Sequence, residues 1–410
     1  MPLLRKPDEL PPPHLVDDRE SLRRLLDDLA GQEEIAVDTE ADSFFHYREQ
    51  VCLIQITVED RDYLVDPLKG LSLEGFGKVL ADPKKLKVFH DGEYDILILK
   101  REHGFKFKHL FDTRVASAAL GSATPGLAAV IGERFGVELD KTLQRSNWST
   151  RPLSDKQVAY ARLDTHYLIP LMHELRPELE AKKRTIIVEG ECRRLERLEP
   201  SDRTFEPDEF LRLKGARSLR PHQMQALREL YMLRDELAQE RDLPPFKVLG
   251  NPVLLALAVA QPTTPGQLSR VEELSPRVAR RIGPRITAAI ARARELGPLK
   301  AMPQLRSRDG TGELTEEAFE LHERLKNWRK DRAQEEGIDA SLILNRIVLL
   351  RLASEAPTTS EALRRIEGLE EWQQELFGAE VLEVTRAFAA DLAAGRIESR
   401  RHRRSRRGDG

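Results

Sequence analysis

Asp38-Thr39-Glu40 closes an apolar run, Ile35-Ala36-Val37, that reads as a strand. Residues i and i+2 of a strand face the same way, so the two carboxylates stand side by side. Like charges this close repel, and one is driven neutral unless a cation sits between them. Oxygen-only ligands suit a hard divalent ion such as Mg²⁺ or Mn²⁺. A second acidic group, Asp91, Glu93 and Asp95, lies between the run Leu86–Phe89 and the apolar Ile96-Leu97-Ile98-Leu99. A strand-to-helix corner is a common place to hold a ligand. Spacing does not choose among these three acids, and some would serve the helix N-terminus instead. The third group is Tyr160-Ala-Arg-Leu-Asp164, inside a helical pattern that starts near Ser154. Positions i and i+4 share a helix face, so a phenol and a carboxylate there could position a cation and a water together. Taken singly, each group also has a plain reading: an exposed strand end, helix-capping acids, a core tyrosine. His90 reads as a structural strand-end histidine. His166 points away from the Asp164 face, and the Thr39 hydroxyl reads as a strand hydrogen-bonder rather than a nucleophile.

The elements that must hold these residues follow from periodicity. Pro11-Pro12-Pro13 ends an extended arm, and Leu22, Leu25, Leu26 and Leu29 fall at helical spacing over 16–30. Three β-rich runs, Glu34–Asp38, Val51–Val58 and Tyr63–Val65, are expected to form an antiparallel meander. A helix over roughly 72–81 leads into a fourth strand, Lys87–His90, and beyond it the pattern is helical almost without interruption. That order predicts an α/β layer fold with a mixed sheet.

The C-terminal half is all-helical in pattern and repeats itself at an offset of 95 residues. Leu254, Leu255, Leu257 and Ala258 fall on Leu349, Leu350, Leu352 and Ala353. Pro262-Thr263-Thr264 falls on Pro357-Thr358-Thr359, and Leu268, Val271 and Leu274 fall on Leu363, Ile366 and Leu369. Core positions and helix-start punctuation match, which is what two copies of one folding unit share. The expected domains are 1–185, a charged linker 186–215, all-α bundles at 216–297 and 311–393, and a basic disordered tail at 394–410.

Composition bounds the rest. A chain of 410 residues, 40% hydrophobic and 33% charged, has the makeup of a globular protein with a sizeable core and excludes a collagen or a wholly disordered chain. No run of 18 apolar residues exists, so no membrane partner is expected. The first residues contain no apolar signal-like core. Two cysteines, Cys52 and Cys192, form no metal-type spacing and point to a reducing, cytoplasmic setting. The net charge of −3 demands no polyanionic partner, although residues 400–407 carry six arginines. That tail alone does not choose between a nucleic-acid contact and a solvated basic end. The absence of coiled-coil heptads makes a monomer the expectation.

Taken together, Asp-x-Glu on a strand, an aspartate at the next strand-to-helix corner and Tyr-x₃-Asp on a later helix resemble the DEDD exonucleases with tyrosine in the third motif, and within them the ribonuclease D family. Flanking segments are similar too: Val51-Cys-Leu-Ile-Gln-Ile, Asp112-Thr113, Asp140-Lys141, Trp148, Arg151-Pro152-Leu153 and Gln157. The resemblance covers roughly 30–175. The repeat resembles two helicase-and-ribonuclease-D C-terminal (HRDC) domains, the first through Pro244-Pro245-Phe246 and its neighbours. The second lacks the paired prolines and is more divergent.

This resemblance implies an RNase H-like, DnaQ-like exonuclease fold followed by two helical bundles. It implies removal of nucleotides from RNA 3′ ends, tRNA precursors or other small structured RNA, with two divalent cations, Mg²⁺ or Mn²⁺. Asp38 would bridge both ions, Glu40 and Asp164 would complete the first site, and Asp95 would hold the second. Tyr160 would orient the attacking water. The resemblance favours Asp95 over Asp91 and Glu93. Phe44 and Phe45 read either as a base-stacking wall or as core, and Lys141 as a substrate contact. The same chemistry on DNA, and a non-catalytic nucleic-acid adaptor built on the repeats, are the competing readings.

Overall fold

The computed structural model describes residues 5–201, 204–305 and 314–397. The boundary at Gly310–Gly312 and the arginine-rich stretch 400–407 lie outside the described residues. No described helix is long and apolar enough to cross a membrane.

The N-terminal part runs β1 (His14–Val16), α1 (Arg19–Ala30), β2 (Glu34–Ala41), β3 (Val51–Val58), β4 (Arg61–Val65), α2 (Glu74–Ala81), β5 (Leu86–Phe89), α3 (Glu93–His103), β6 (Leu110–Asp112), α4 (Thr113–Ala119), α5 (Leu127–Phe135), α6 (Asp155–His166), α7 (Leu168–Ala181) and α8 (Thr185–Arg197). The sheet order is β1-β4-β3-β2-β5-β6. β3 and β4 pair antiparallel, while β2 with β5, β5 with β6 and β1 with β4 pair parallel, so the sheet is mixed. Every residue of β3 is buried, as befits a strand covered on both faces.

Two short strands escape the sequence pattern. β1 and β6 have three residues each, too few to show a period of two. The chain after β5 is therefore not continuously helical. β6 matters because Asp112, its last residue, ties two corners together. Its carboxylate accepts from the N–H groups of Asp91 and Gly92 before α3 (3.1 and 2.9 Å) and of Arg114 and Val115 in α4 (2.8 and 3.1 Å).

The first helical repeat comprises α9 (Pro221–Glu240), α10 (Pro245–Val248), α11 (Asn251–Ala260), α12 (Pro265–Leu268) and α13 (Pro276–Leu296). The second comprises α14 (Glu316–Glu336), α15 (Ala340–Ile343), α16 (Arg346–Glu355), α17 (Ser360–Arg364) and α18 (Glu371–Ala393). The elements keep the 95-residue register. Thr264 and Thr359 both cap the helix after the Pro-Thr-Thr turn, satisfying an otherwise orphaned N–H.

The described parts fall into two compact units. One joins the sheet domain to the second repeat; the other joins the first repeat to residues 41–50. In the first, Trp372 of α18 is buried against Gly190 of α8, where a Cβ would lie 1.9 Å from the indole. Only glycine admits the ring there. In the second, Leu227, Leu230, Leu254, Leu257, Ile286 and Ile290 lie at the centre of the core.

Candidate active site

β2 enters the core through Ile35, Ala36 and Val37, all fully buried. The apolar half of the strand anchors it, and its polar end then carries Asp38 and Glu40 to the edge of the interior. Thr39 turns the opposite way, and its N–H and hydroxyl both donate to Asp95 Oδ1, at 3.0 and 2.5 Å. Thr39 therefore ties the first acidic motif to the second. Asp95 sits in the first turn of α3 and is buried. Of its rivals, Asp91 also borders the pocket but is exposed there, 3.4 Å from Arg114, and Glu93 pairs with Arg194 at 3.0 Å. The tertiary structure thus brings Asp95, not Asp91 or Glu93, into the interior of the acidic group.

α6 supplies Tyr160 and Asp164. It starts at Ser154, whose hydroxyl caps Gln157 while the Gln157 side chain returns to Ser154, a reciprocal capping box. The other face of α6 is locked to the sheet. Arg162 Nε (3.0 Å) and His166 Nδ1 (2.9 Å) contact Asp62, and Thr165 contacts Thr57 (2.7 Å), all buried. His166 is therefore a positioning residue on the far face. Trp148 stacks obliquely on Tyr160 at 5.8 Å between ring centroids. Arg151 holds the preceding loop by bonds to Asp66 (2.6 and 2.8 Å) and to the Cys52 carbonyl (2.7 Å).

Asp38, Glu40, Asp95, Tyr160 and Asp164 line one pocket of about 350 Å³, together with Lys141. His90 also borders it but is buried against Thr113, Nδ1 to Oγ1 at 2.9 Å. Burial holds its imidazole neutral, with a pKa lowered to about 4. Burial, with the charges of Asp95, Asp164 and Glu40, pushes the Asp38 carboxyl well above the usual carboxylate range. Burial and the charges of Asp164 and Asp95 raise Glu40 to about 10. Burial raises Asp164 to about 8, helped by Asp95, and Asp95 itself to about 6. Burial, then Asp164, Glu40 and Asp38, raises the Tyr160 phenol above its usual value.

These four acids form no ion pair among the described residues, an arrangement that is costly unless positive charge joins them. Among the described residues, no three histidine, cysteine, aspartate or glutamate side chains stand close enough to cage a cation unaided. The donor set nevertheless fits a hard divalent ion. It is all oxygen, and Asp164 Oδ2 is buried with no hydrogen-bond partner, an acceptor in want of a positive neighbour.

Sequence reasoning did not single out Tyr94, Arg114, Gln144 or the Gly126–Ala128 backbone, which also line the pocket. Gly126 is the N-cap of α5, so the start of a helix borders the pocket. Only a fold brings them there. Phe44 and Phe45 lie in the other unit, with the first repeat. Phe44 is exposed and meets Phe246 edge-on at 6.4 Å, and the half-buried Phe45 lies beneath the Lys247 ammonium at 4.0 Å. Neither is core.

A mixed six-stranded sheet carrying these acids defines a 3′–5′ exonuclease domain, and the family model of that description matches residues 13–180. The HRDC domain model matches 223–290 and 318–385, preserving the register of the repeat. Ribonuclease D of Pseudomonas paraeruginosa is 31% identical over 283 residues, covering 68% of this chain and 74% of that one. The crystal structure of Escherichia coli RNase D, described as an exoribonuclease involved in structured RNA processing, superposes with a TM-score of 0.67 at 26% identity, over 92% of this chain and 99% of that one. The exosome complex exonuclease RRP6 of Saccharomyces cerevisiae is 35% identical over 266 residues, 61% of this chain; this chain spans 36% of that protein's length. The chain belongs to the ribonuclease D family.

Proposed function

We propose that this protein is a metal-dependent 3′–5′ exoribonuclease that releases nucleoside 5′-monophosphates from small structured RNAs, tRNA precursors included. The carrying observation is one pocket that gathers Asp38, Glu40, Asp95, Asp164 and Tyr160 in a chain of this family. Two divalent cations, Mg²⁺ or Mn²⁺, would supply the charge that ionises a water and stabilises the leaving 3′ oxygen. As the family resemblance implies, Asp38 would help hold both ions, Glu40 and Asp164 would help hold one, and Asp95 the other. The Tyr160 phenol stays protonated at working pH, so its hydrogen bond orients the attacking water rather than deprotonating it.

Lys141 and the N–H groups at the start of α5 bind the phosphate of the terminal nucleotide. Phe44 and Phe45 would offer rings for base stacking. We read the protein as a cytoplasmic monomer, with Cys52 and Cys192 both free and buried.

The test is turnover of matched 3′-labelled and 5′-labelled RNA and DNA strands with Mg²⁺, with Mn²⁺ and with chelator. Mononucleotide release from RNA 3′ ends, abolished by chelator and by Asp38→Asn, is the expected result. Preferential attack on DNA would remove the RNA assignment, and binding without release from either strand would remove the enzymatic one.

A further inference from the structure

The carboxylate pocket has a larger neighbour. A cavity of about 620 Å³ lies between α4 with its following loop and α14–α15 of the second repeat. Arg114 lines both cavities, so they adjoin at one guanidinium. The cleft has fixed walls. Arg184 donates to the carbonyls of Ala119, at 2.8 Å, and Glu336, joining the end of α4 to the end of α14. A Cβ on Gly121 would come within 2.5 Å of the Gly337 carbonyl oxygen, so the two backbones all but touch at the floor.

The register between the repeats shows how unusual this open face is. At matching positions the first repeat has Asp235, Asp242, Phe246 and Lys247, and the second has Lys330, Gly337, Ser341 and Leu342. In the first repeat this face is filled by the segment that follows Glu40. The Tyr47 hydroxyl donates to Asp235 at 2.8 Å, the Tyr47 N–H donates to Asp242 at 3.1 Å, and Phe44 meets Phe246. In the second repeat the same face is the cavity, with a lysine where the first has an acid. Lys330 is exposed and forms no ion pair among the described residues. Its neighbours Arg324, Lys326 and Arg332 on α14 are all paired. The one acid on this wall, Asp339, is occupied in capping α15, accepting from the Ser341 N–H at 2.7 Å. An open cleft that presents the Lys330 ammonium, unpaired among the described residues, and leads to a phosphodiester-cleaving pocket suits a polyanionic strand.

We propose that this cleft seats the RNA strand immediately upstream of the nucleotide being removed, with Arg114 at the doorway and Lys330 holding a backbone phosphate. The proposal rests on the exoribonuclease reading of the carboxylate pocket. It gives the second repeat a direct part in substrate binding.

The test uses the full chain and unstructured RNAs of two and eight nucleotides. Only the longer RNA carries a phosphate upstream of the scissile one for Lys330 to hold, so the readout is the ratio of kcat/KM for octamer over dimer. Lys330→Glu is expected to lower that ratio about tenfold and Arg114→Gln about threefold. Lys330→Gln should make the salt dependence of octamer binding shallower by about one phosphate contact. An unchanged ratio in both variants, or an equal loss on both lengths, would overturn the cleft. Absence of wild-type turnover on either RNA would instead sink the exoribonuclease reading. Octamer binding by anisotropy in chelator then decides the cleft separately: Lys330→Glu must weaken Kd about tenfold, and an unchanged Kd rejects it. Lys330 is exposed, and an unchanged thermal midpoint verifies that the variant is folded.

Discussion

The two faces of α6 hold buried acids in opposite circumstances. On one face Asp164 joins Asp38, Glu40 and Asp95 with no ion-paired base among the described residues; burial raises every one of these carboxyls, and repulsion from other members of the cluster adds to the rise of Asp38, Glu40 and Asp164. On the other, Asp62 is just as enclosed, yet bonds from His166, Arg162 and Thr57 outweigh its burial and hold its pKa below the usual value. One cluster is satisfied and spends its charge on architecture. The other is left unsatisfied, and that unmet demand for positive charge is what a cation-dependent site needs. The same helix serves both because three-to-four-residue spacing puts Tyr160 and Asp164 on one side and Arg162 and His166 on the other.

The largest expected effect divides the two clusters outright. Asp38→Asn should lower kcat/KM by about a thousandfold or more, yet raise the cation-free Tm by about 2–4 °C, since it removes a buried like charge. A nuclease assay and calorimetry on one sample check both; a fall in Tm would mean that Asp38 is structurally paired and the contrast is wrong.

Asp62→Ala should do the reverse. It leaves Arg162 and His166 buried and unpaired, a loss of about 3–5 kcal/mol in stability, measured by urea unfolding. A loss below about 1 kcal/mol would show that the Asp62 network is not what seats α6.

Tyr160→Phe keeps the ring against Trp148 and removes only the hydroxyl. We expect kcat to drop about 10- to 100-fold with Tm nearly unchanged, and an unchanged kcat would remove the phenol from the chemistry.

The smallest effect is the most diagnostic of sign. Asp95 and Asp164 have folded pKa values raised to about 6 and about 8, so the folded state holds more protons than the unfolded one. Cation-free stability therefore falls as pH rises through that window. Asp62, with its lowered pKa, contributes stability that is present above the usual carboxylate pKa and lost as pH falls below it. Thermal scans from pH 3 to 9 should show both limbs. Asp62→Asn should flatten the acid limb, and Mg²⁺ should flatten the alkaline limb.

Much of the site was legible because its residues sit in strong local patterns. Asp38 and Glu40 close an apolar strand, and Tyr160 and Asp164 share a helix face, so type and spacing offered candidates that the family resemblance then joined. Asp95 was ambiguous by spacing because three acids occupy one corner; the resemblance favoured it, and its burial against Thr39 sets it apart from the exposed Asp91 and Glu93. The Asp112 knot and the strand that ends in it were illegible, because three residues show no period and a carboxylate does not announce which amides it will accept from. The repeats were legible as a pair through core and capping positions. Their differing faces were not, since Asp235 is buried beneath Tyr47 and Lys330 is exposed, and periodicity does not say which polar position a distant segment will cover.

By itself the sequence determined which residues could do the chemistry, the strands and helices that carry them, and the duplication of the helical unit. These are local matters of period, capping and charge. The tertiary structure alone decided which corner acid is buried beside Thr39, that Trp372 docks against Gly190, and that one face of the repeat closes over the segment after Glu40 while its counterpart stays open beside Arg114. Those outcomes depend on burial and on partners distant in the chain, and neither is written in the spacing of neighbouring residues.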